Sequence, residues 1–534
     1  MIKSLHHHLA PPPAVGAAQP AVTASLSFQA ESKGIIKMLG LLHAGVNDMV
    51  LAVYRSSECS NRATMHQVKW AVDVFTSDME KVKGNALQAI ALPNMEAPDA
   101  EFAINFGGKP WLILLRFQKK PHRMVLYRCP IDLEGMIGSP EEFGSYPVEK
   151  VEYPVSEHGL LVAPDASKLL FVYYPSSDSF NDPVSFALFD SNWSQLQSGY
   201  FNLPQMGYEL RVGQAFFAPD NTIWMPSWTA LEQNNGVLQD LWIWQDPAMR
   251  PKRIDVRLDP DKLITSMKIS LGTDGKLYVG GVWAQATKKN LRAVPVEAAQ
   301  YAQGCFFLKI DPDNQVILSK TTATFSDTLF RFWSLGETEV NENGLGIKHL
   351  CVGETKPVSD GSFWVTMEVN LINPAFAANP SGGAAYPKPF SGPVIIVKYG
   401  PDGTLQSEIL VKRQIMSVEG SGNGHLLLPY ADSGLLLYNV HQDDISDEPQ
   451  HFGQLRLCQV VDIEGLAMWQ QDSTAAALDL SSTPNGTATI LFNFKEKEYW
   501  FDPSAWLQVS PTRLIVGCDG RNGNYGLIRV DWPE

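Results

Sequence analysis

Apolar residues along this chain come in short runs of about five to eight, bounded by Gly, Asp, Asn and Pro. Val, Ile, Leu, Phe, Tyr and Trp dominate the runs. Helical spacing is nearly absent from residue 26 onward. The exception, 288–302, contains Pro295, which argues against a long helix. The pattern predicts many short antiparallel strands.

The strands recur in two kinds of unit. The first is a strand, a tight turn and a second strand with an aromatic near its start. It reads EFAINFGGKPWLILLRF, GLLVAPDASKLLFVYY, GQAFFAPDNTIWMPSW, MKISLGTDGKLYVGGVW and GETKPVSDGSFWVTMEV. Its turns centre on Gly107, Asp165, Asp220, Asp274 and Asp360, and Trp111, Trp224, Tyr278 and Trp364 follow at matching positions. Asp-Gly and Asp-Asn supply the positive-φ conformers that tight hairpins need. The second unit is a strand running into a polar turn: FTSDMEKV (75–82), FDSNWSQL (189–196), IDPDNQVI (310–317) and YGPDGTLQ (399–406). Together they predict four strands per repeat, at a period of about 55–65 residues.

This strand–turn repeat resembles β-propeller proteins in general, over nearly the whole chain. No WD dipeptide, kelch double glycine or Asp-box marks a particular family. The resemblance implies an all-β fold: a single β-propeller of four-stranded antiparallel blades, eight in number, with seven as the next choice. A length of 534 residues would otherwise point to about three domains, but repeats escape that rule. The C-terminal strand YGLIRVDW lacks a fourth partner, and VTASLSF, from Val22, can provide one. Pairing the two termini would close the ring and remove an open sheet edge. The expected organisation is a flexible Pro/Ala-rich arm over 1–25 and the propeller over 26–534. Two stacked β-sandwich domains are the alternative, opposed by the absence of a linker-like composition shift.

Charge and cysteines narrow the partners and the compartment. Asp and Glu number 57 against 42 Lys and Arg, a net charge of −15, which excludes nucleic acid and anionic membrane as main partners. No apolar run reaches about 18 residues, and the N-terminal stretch lacks a continuous apolar core, so a soluble, cytoplasmic protein is expected. Cys59, Cys129, Cys305, Cys351, Cys458 and Cys518 are far apart, with no CxxC pair, which predicts reduced, buried thiols.

Catalytic motifs are missing. There is no GxSxG elbow and no GxxxxGK[ST] loop, and GSGNGH (420–425) leads into a strand, which offers no helix terminus to a phosphate. His43, His66, His122, His158, His349, His425, His441 and His451 are isolated in sequence. No cofactor is expected, a metal ion being the alternative should such histidines converge.

Loop length then locates a working surface. The connections between second and third strands are long: 56–69, 176–183, 229–237, 284–304 and 371–392. They lie on one face and carry Tyr301, Phe376, Tyr386 and Phe390 as aromatic binding anchors. Counting back from the turns places Glu101, Gln214, Lys268 and Glu354 on first strands, lining the central channel. Glu157, Glu209, Glu419 and Glu464 fall in the incoming connections. The expected function is a non-catalytic binding or scaffold protein that recognises a protein or a carbohydrate. The alternative is a propeller hydrolase or lyase at the channel mouth, for which Glu157, His158, His349, Glu354 and Glu419 are the first residues to test.

Overall fold

A computed structural model describes residues 5–7, 23–28, 35–44, 49–58, 67–92, 98–148, 158–173, 185–200, 210–212, 216–217, 223–224, 227–233, 236–243, 252–285, 302–326, 329–330, 346–347, 350–373, 388–411, 415–416, 425–430, 433–441, 473–479, 488–490, 499–520 and 524–531. The fold is all-β, and antiparallel strands dominate these residues. Contacts divide the chain into two units, one of Met1–Leu203, Phe216–Thr222 and Phe494–Glu534, the other of Pro204–Ala215 and Ile223–Asn493.

The first unit holds a sheet of Ile35–His43, Met49–Glu58, Gln67–Thr76 and Lys81–Lys83 (the 35–83 sheet). A second comprises Ala100–Phe106, Lys109–Lys119, His122–Pro130 and Glu141–Pro147 (the 100–147 sheet). A third comprises His158–Val162, Lys168–Tyr173, Ser185–Asp190 and Gln195–Tyr200 (the 158–200 sheet). The last three strands of the chain, Tyr499–Ser510, Arg513–Gly520 and Asn524–Asp531, take Thr23–Phe28 as their next strand, from Thr23 opposite Asp531 to Phe28 opposite Gly526. That is the terminal pairing expected from VTASLSF, and Leu5–His7 pairs onto its outer side.

The second unit repeats the scheme. Its sheets are Leu210–Val212, Ser227–Gln233, Gly236–Ile243 and Lys252–Asp255; then Lys262–Leu271, Leu277–Gln285, Gly304–Asp311 and Val316–Thr324 (the 262–324 sheet). Next come Leu350–Pro357, Phe363–Asn373, Lys388–Tyr399 and Leu405–Val411 (the 350–411 sheet), then His425–Tyr430, Ser433–His441, Ser473–Asp479 and Ala488–Ile490 (the 425–490 sheet).

In both units first strands of neighbouring sheets lie side by side. Ile35–His43 touches Ala100–Phe106, and Leu350–Pro357 touches both Lys262–Leu271 and His425–Tyr430. This is how propeller blades stand, and burial follows from it. Middle strands are covered on both faces, so Leu277–Gln285 is buried up to its last residue and reads as a continuous apolar run. The outer strand Val316–Thr324 alternates between exposed and half-buried positions. Apolar layers fill the space between neighbouring sheets: Leu51, Val72, Leu112 and Leu114 between the 35–83 and 100–147 sheets, Tyr278, Phe307, Phe363 and Val365 between the 262–324 and 350–411 sheets.

The turns predicted at Gly107, Asp165, Asp274 and Asp360 fall where expected, and Asp220 lies outside the described residues. Gly107, Gly275 and Gly361 sit at positive φ between first and second strands, and Met79, Trp193, Gln315 and Gly403 do so between third and fourth. Two expectations need correcting. The segment 229–237 is not a long loop: Gln233 pairs with Gly236, so only Asn234 and Asn235 separate the strands. In the sheet that opens with Leu210–Val212 the second strand is Ser227–Gln233, which begins only at the end of the run GQAFFAPDNTIWMPSW, so Trp224 does not start it. No helix among the described residues is long and apolar enough to cross a membrane.

Candidate functional site

Of the residues singled out in the sequence, Cys59, His66, Glu157, Glu209, Gln214, Tyr301, His349, Phe376, Tyr386, Glu419, His451, Cys458 and Glu464 lie outside the described residues. His158 opens the strand His158–Val162, opposite Tyr173. Phe390 belongs to the ladder of the 350–411 sheet, opposite Leu371, so the strands run well into the predicted loop 371–392. Glu101, Lys268 and Glu354 all lie on first strands, as counting from the turns predicts.

What those three side chains do is specific. Glu101 accepts hydrogen bonds from Arg55 Nη1 at 2.9 Å and Trp70 Nε1 at 3.2 Å, both on the neighbouring 35–83 sheet. In the second unit, Ser266, Lys268 and Ser270 alternate along one strand and therefore share a face. Ser266 Oγ accepts the Val352 N–H at 3.1 Å, Lys268 Nζ donates to the Gly353 carbonyl, and Ser270 Oγ donates to the Thr355 carbonyl at 2.8 Å. Three alternate side chains thus stitch one first strand to the next sheet. Burial pushes the Lys268 ammonium below its usual range, and the nearby Glu354 and Glu368 charges oppose that shift. Glu354 extends the stitching, its carboxylate accepting the Leu427 N–H of the 425–490 sheet at 2.7 Å.

Between the 350–411 and 425–490 sheets, three side chains take the order of a hydrolase relay. His425 Nδ1 lies 3.2 Å from Glu368 Oε2, and its Nε2 meets the Thr366 hydroxyl. Order is not function here. Thr366 is fully buried, and its hydroxyl also accepts the Glu354 N–H at 2.8 Å. A Cβ added to Gly353 would sit 2.5 Å from His425 Cε1, so no volume remains for a substrate carbonyl beside the hydroxyl. The arrangement braces two sheets. Sequence spacing gives no access to it, because Thr366 and Glu368 lie 59 and 57 residues from His425.

Two buried thiols are quiet as well. Burial pushes the Cys129 and Cys305 thiols up to about 12, so neither forms a thiolate readily near neutral pH. Cys129 and Cys305 are buried free thiols. Among the described residues, no three His, Cys, Asp or Glu side chains gather as a metal-ligand set.

No family model and no curated protein sequence matches the chain. Among solved structures it is similar to the WD40 domain of SCAP from fission yeast, at 12% identity and a TM-score of 0.36, over 94% of this chain and 99% of that one. It is similar to the β-propeller domain of the Trilobed protease from Pyrococcus furiosus, at 11% identity and a TM-score of 0.35, over 88% and 98%. A puromycin hydrolase matches at 12% identity and a TM-score of 0.36, over 89% of this chain, which spans 57% of that enzyme.

Proposed function

We propose that this protein is a non-catalytic binding or scaffold propeller that recognises a protein or a glycan through the long connections at one end of its sheets. The carrying observation is an asymmetry in strand connection. Second strands reach third strands through 59–66, 174–184, 286–303, 374–387 and 442–472, all leaving their sheets at the same end. At the other end the strands turn tightly, as from Phe106 to Lys109, Asp190 to Gln195, Tyr399 to Leu405 and Tyr430 to Ser433. Lys119–His122, Gln233–Gly236 and Gly520–Asn524 are the short connections on that side among the described residues. Extra chain outside the ladders costs little stability, and recognition concentrates in such connections. The engagement of Glu101, Lys268 and Glu354 between sheets supports the non-catalytic half of the reading.

The test replaces 286–301 and 374–387, singly and together, with short Gly-Ser linkers. Glycan arrays and proximity cross-linking would identify a ligand of the intact chain. The shortened chains should melt at the native temperature and lose that ligand, as should Phe376→Ala and Tyr386→Ala. Undiminished binding by the doubly shortened chain would overturn the proposal. So would a hydrolase or lyase activity abolished by His158→Ala or Glu419→Ala.

A further inference from the structure

A cleft of about 500 Å³ opens in the first unit between the 100–147 and 158–200 sheets, at the end that carries the tight turns. It lies away from the long connections and independently of the reading above. Its floor is aromatic and fixed. Trp193 packs edge-on against Phe106, Trp111 and Phe143, with centroids 4.8, 4.9 and 4.7 Å away. Arg128 lies 5.6 Å from the centroid of the Trp111 ring and 5.2 Å from that of Trp193. Two bonds to Glu141, at 3.1 and 2.9 Å, hold the guanidinium there.

The turns that build the cleft both carry left-handed residues. Trp193 has φ 66°, a left-handed conformation that Met79, Gln315 and Gly403 adopt in the corresponding turns of the 35–83, 262–324 and 350–411 sheets. Gly107, at φ +58°, lets the two turns touch, since a Cβ there would stand 2.9 Å from the Ser191 carbonyl oxygen.

The chemistry of the lining selects a ligand. Lys109, Asp165 and Asn192 form an exposed polar rim around this floor, in which Trp111 is half-buried and Phe106 and Trp193 are buried. An aromatic floor beneath amide, carboxylate and ammonium groups fits a flat ring with an apolar C–H face and hydroxyls at its edge. An extended peptide fits less well, because Gly107, Ala166 and Trp193 already spend their N–H groups within and between the turns. Charge sharpens the choice. The lining sets Lys109 and Arg128 against Asp165 in a chain of net charge −15. Arg128 is held by Glu141, which leaves Lys109 as the cation presented to a ligand. We propose that this cleft is a second binding site and that it takes a carboxylated pyranose, a hexuronic-acid unit of a glycan.

The test titrates the intact chain with a galacturonic-acid oligosaccharide and with its neutral galactose counterpart, read by tryptophan fluorescence and calorimetry. The acidic oligosaccharide should bind, change the indole emission and weaken as salt rises. Lys109→Ala should weaken it about fivefold, the scale of one exposed ion pair. Trp111→Ala should weaken it about tenfold or more. Lys109 and Asn192 are exposed, so Lys109→Ala and Asn192→Ala test the site even if the tryptophan variant fails to fold. Equal binding of the neutral sugar, no binding of the acidic one, or full affinity in both exposed-residue variants would overturn the proposal. Chains shortened at 286–301 and 374–387 should bind the uronate normally, which separates this site from the long-connection surface.

Discussion

Room, more than geometry, decides what His425 does. Its side chain is 1% exposed and that of Glu368 8%, so the pair works in a medium where neither can turn to water. His425→Ala should open a cavity and remove one of the groups facing a buried carboxylate, at a cost of about 3 kcal/mol. Urea unfolding reads this directly, and a loss below about 1 kcal/mol would show that the histidine is no brace. Gly353→Ala attacks the same contact from the other side and should also destabilise, because its Cβ would fall 2.8 Å from His425 Nε2. At this scale the sequence is legible only where a periodic rule applies. Glu101, Lys268 and Glu354 follow from alternation and the turn positions. Thr366 and Glu368 look like ordinary strand residues, since their meaning depends on which sheet comes next to them in space.

At the scale of single elements, a cross-strand device recurs near the turns. Tyr278, at the start of a second strand, pairs with Lys309 on the third, whose ammonium lies 4.9 Å from the ring centroid. Trp364 pairs with Lys398 in the same way, at 5.2 Å. The aromatics are visible after each turn in the sequence, but the lysines are not, because locating them needs the strand register. Asn234 and Asn235 did carry a turn signal, Asn being tolerant of positive φ, yet the polar stretch around them reads as a loop. The turn carboxylates give these elements a pH dependence. Burial opposes ionisation of Asp274, but bonds from Lys309, the Lys276 N–H and Tyr278 outweigh it and hold the carboxyl below its usual range. The Lys276 ammonium, with Asn314, holds Asp311 lower still. A carboxyl depressed in the folded state binds fewer protons there than when unfolded. Its stabilisation is therefore complete above the ordinary value of about 4 and is lost as pH falls through the folded one. Burial raises Asp73 and Glu408, which act in the opposite sense. The comparison of native chain and Lys276→Met isolates Asp311: between about pH 4 and pH 2 the variant's melting temperature should fall less steeply. Parallel curves would show that the Lys276–Asp311 pair contributes nothing.

For the molecule as a whole, the decisive bond is the one between its ends. A four-strand repeat that finishes on a third strand leaves a remainder, and that remainder makes the terminal pairing readable from the sequence. The sequence does not show how the last sheet is tied to its neighbour. Asp78, in a turn of the 35–83 sheet, bonds Arg513 at 3.0 Å and Arg529 at 3.1 Å, and both arginines also meet Asp531. Asp531 faces Thr23 across the ladder, so the ion network and the terminal strand meet at one corner. Removing residues 1–30 would strip one of its two partners from Asn524–Asp531, whose Leu527, Ile528 and Val530 are buried in the intact chain. Its backbone donors and acceptors would then form an open edge, a template for pairing with another chain. The truncated protein should melt at a lower temperature and associate as its concentration rises, seen by light scattering. A synthetic peptide of residues 20–30, supplied in excess, should dock as the missing strand and reverse both effects. Asp78→Ala should weaken the corner without opening the edge, lowering the melting temperature slightly while the chain stays monodisperse. If the truncated chain melts as the native one does and stays monodisperse without peptide, the terminal strand does not hold the last sheet together.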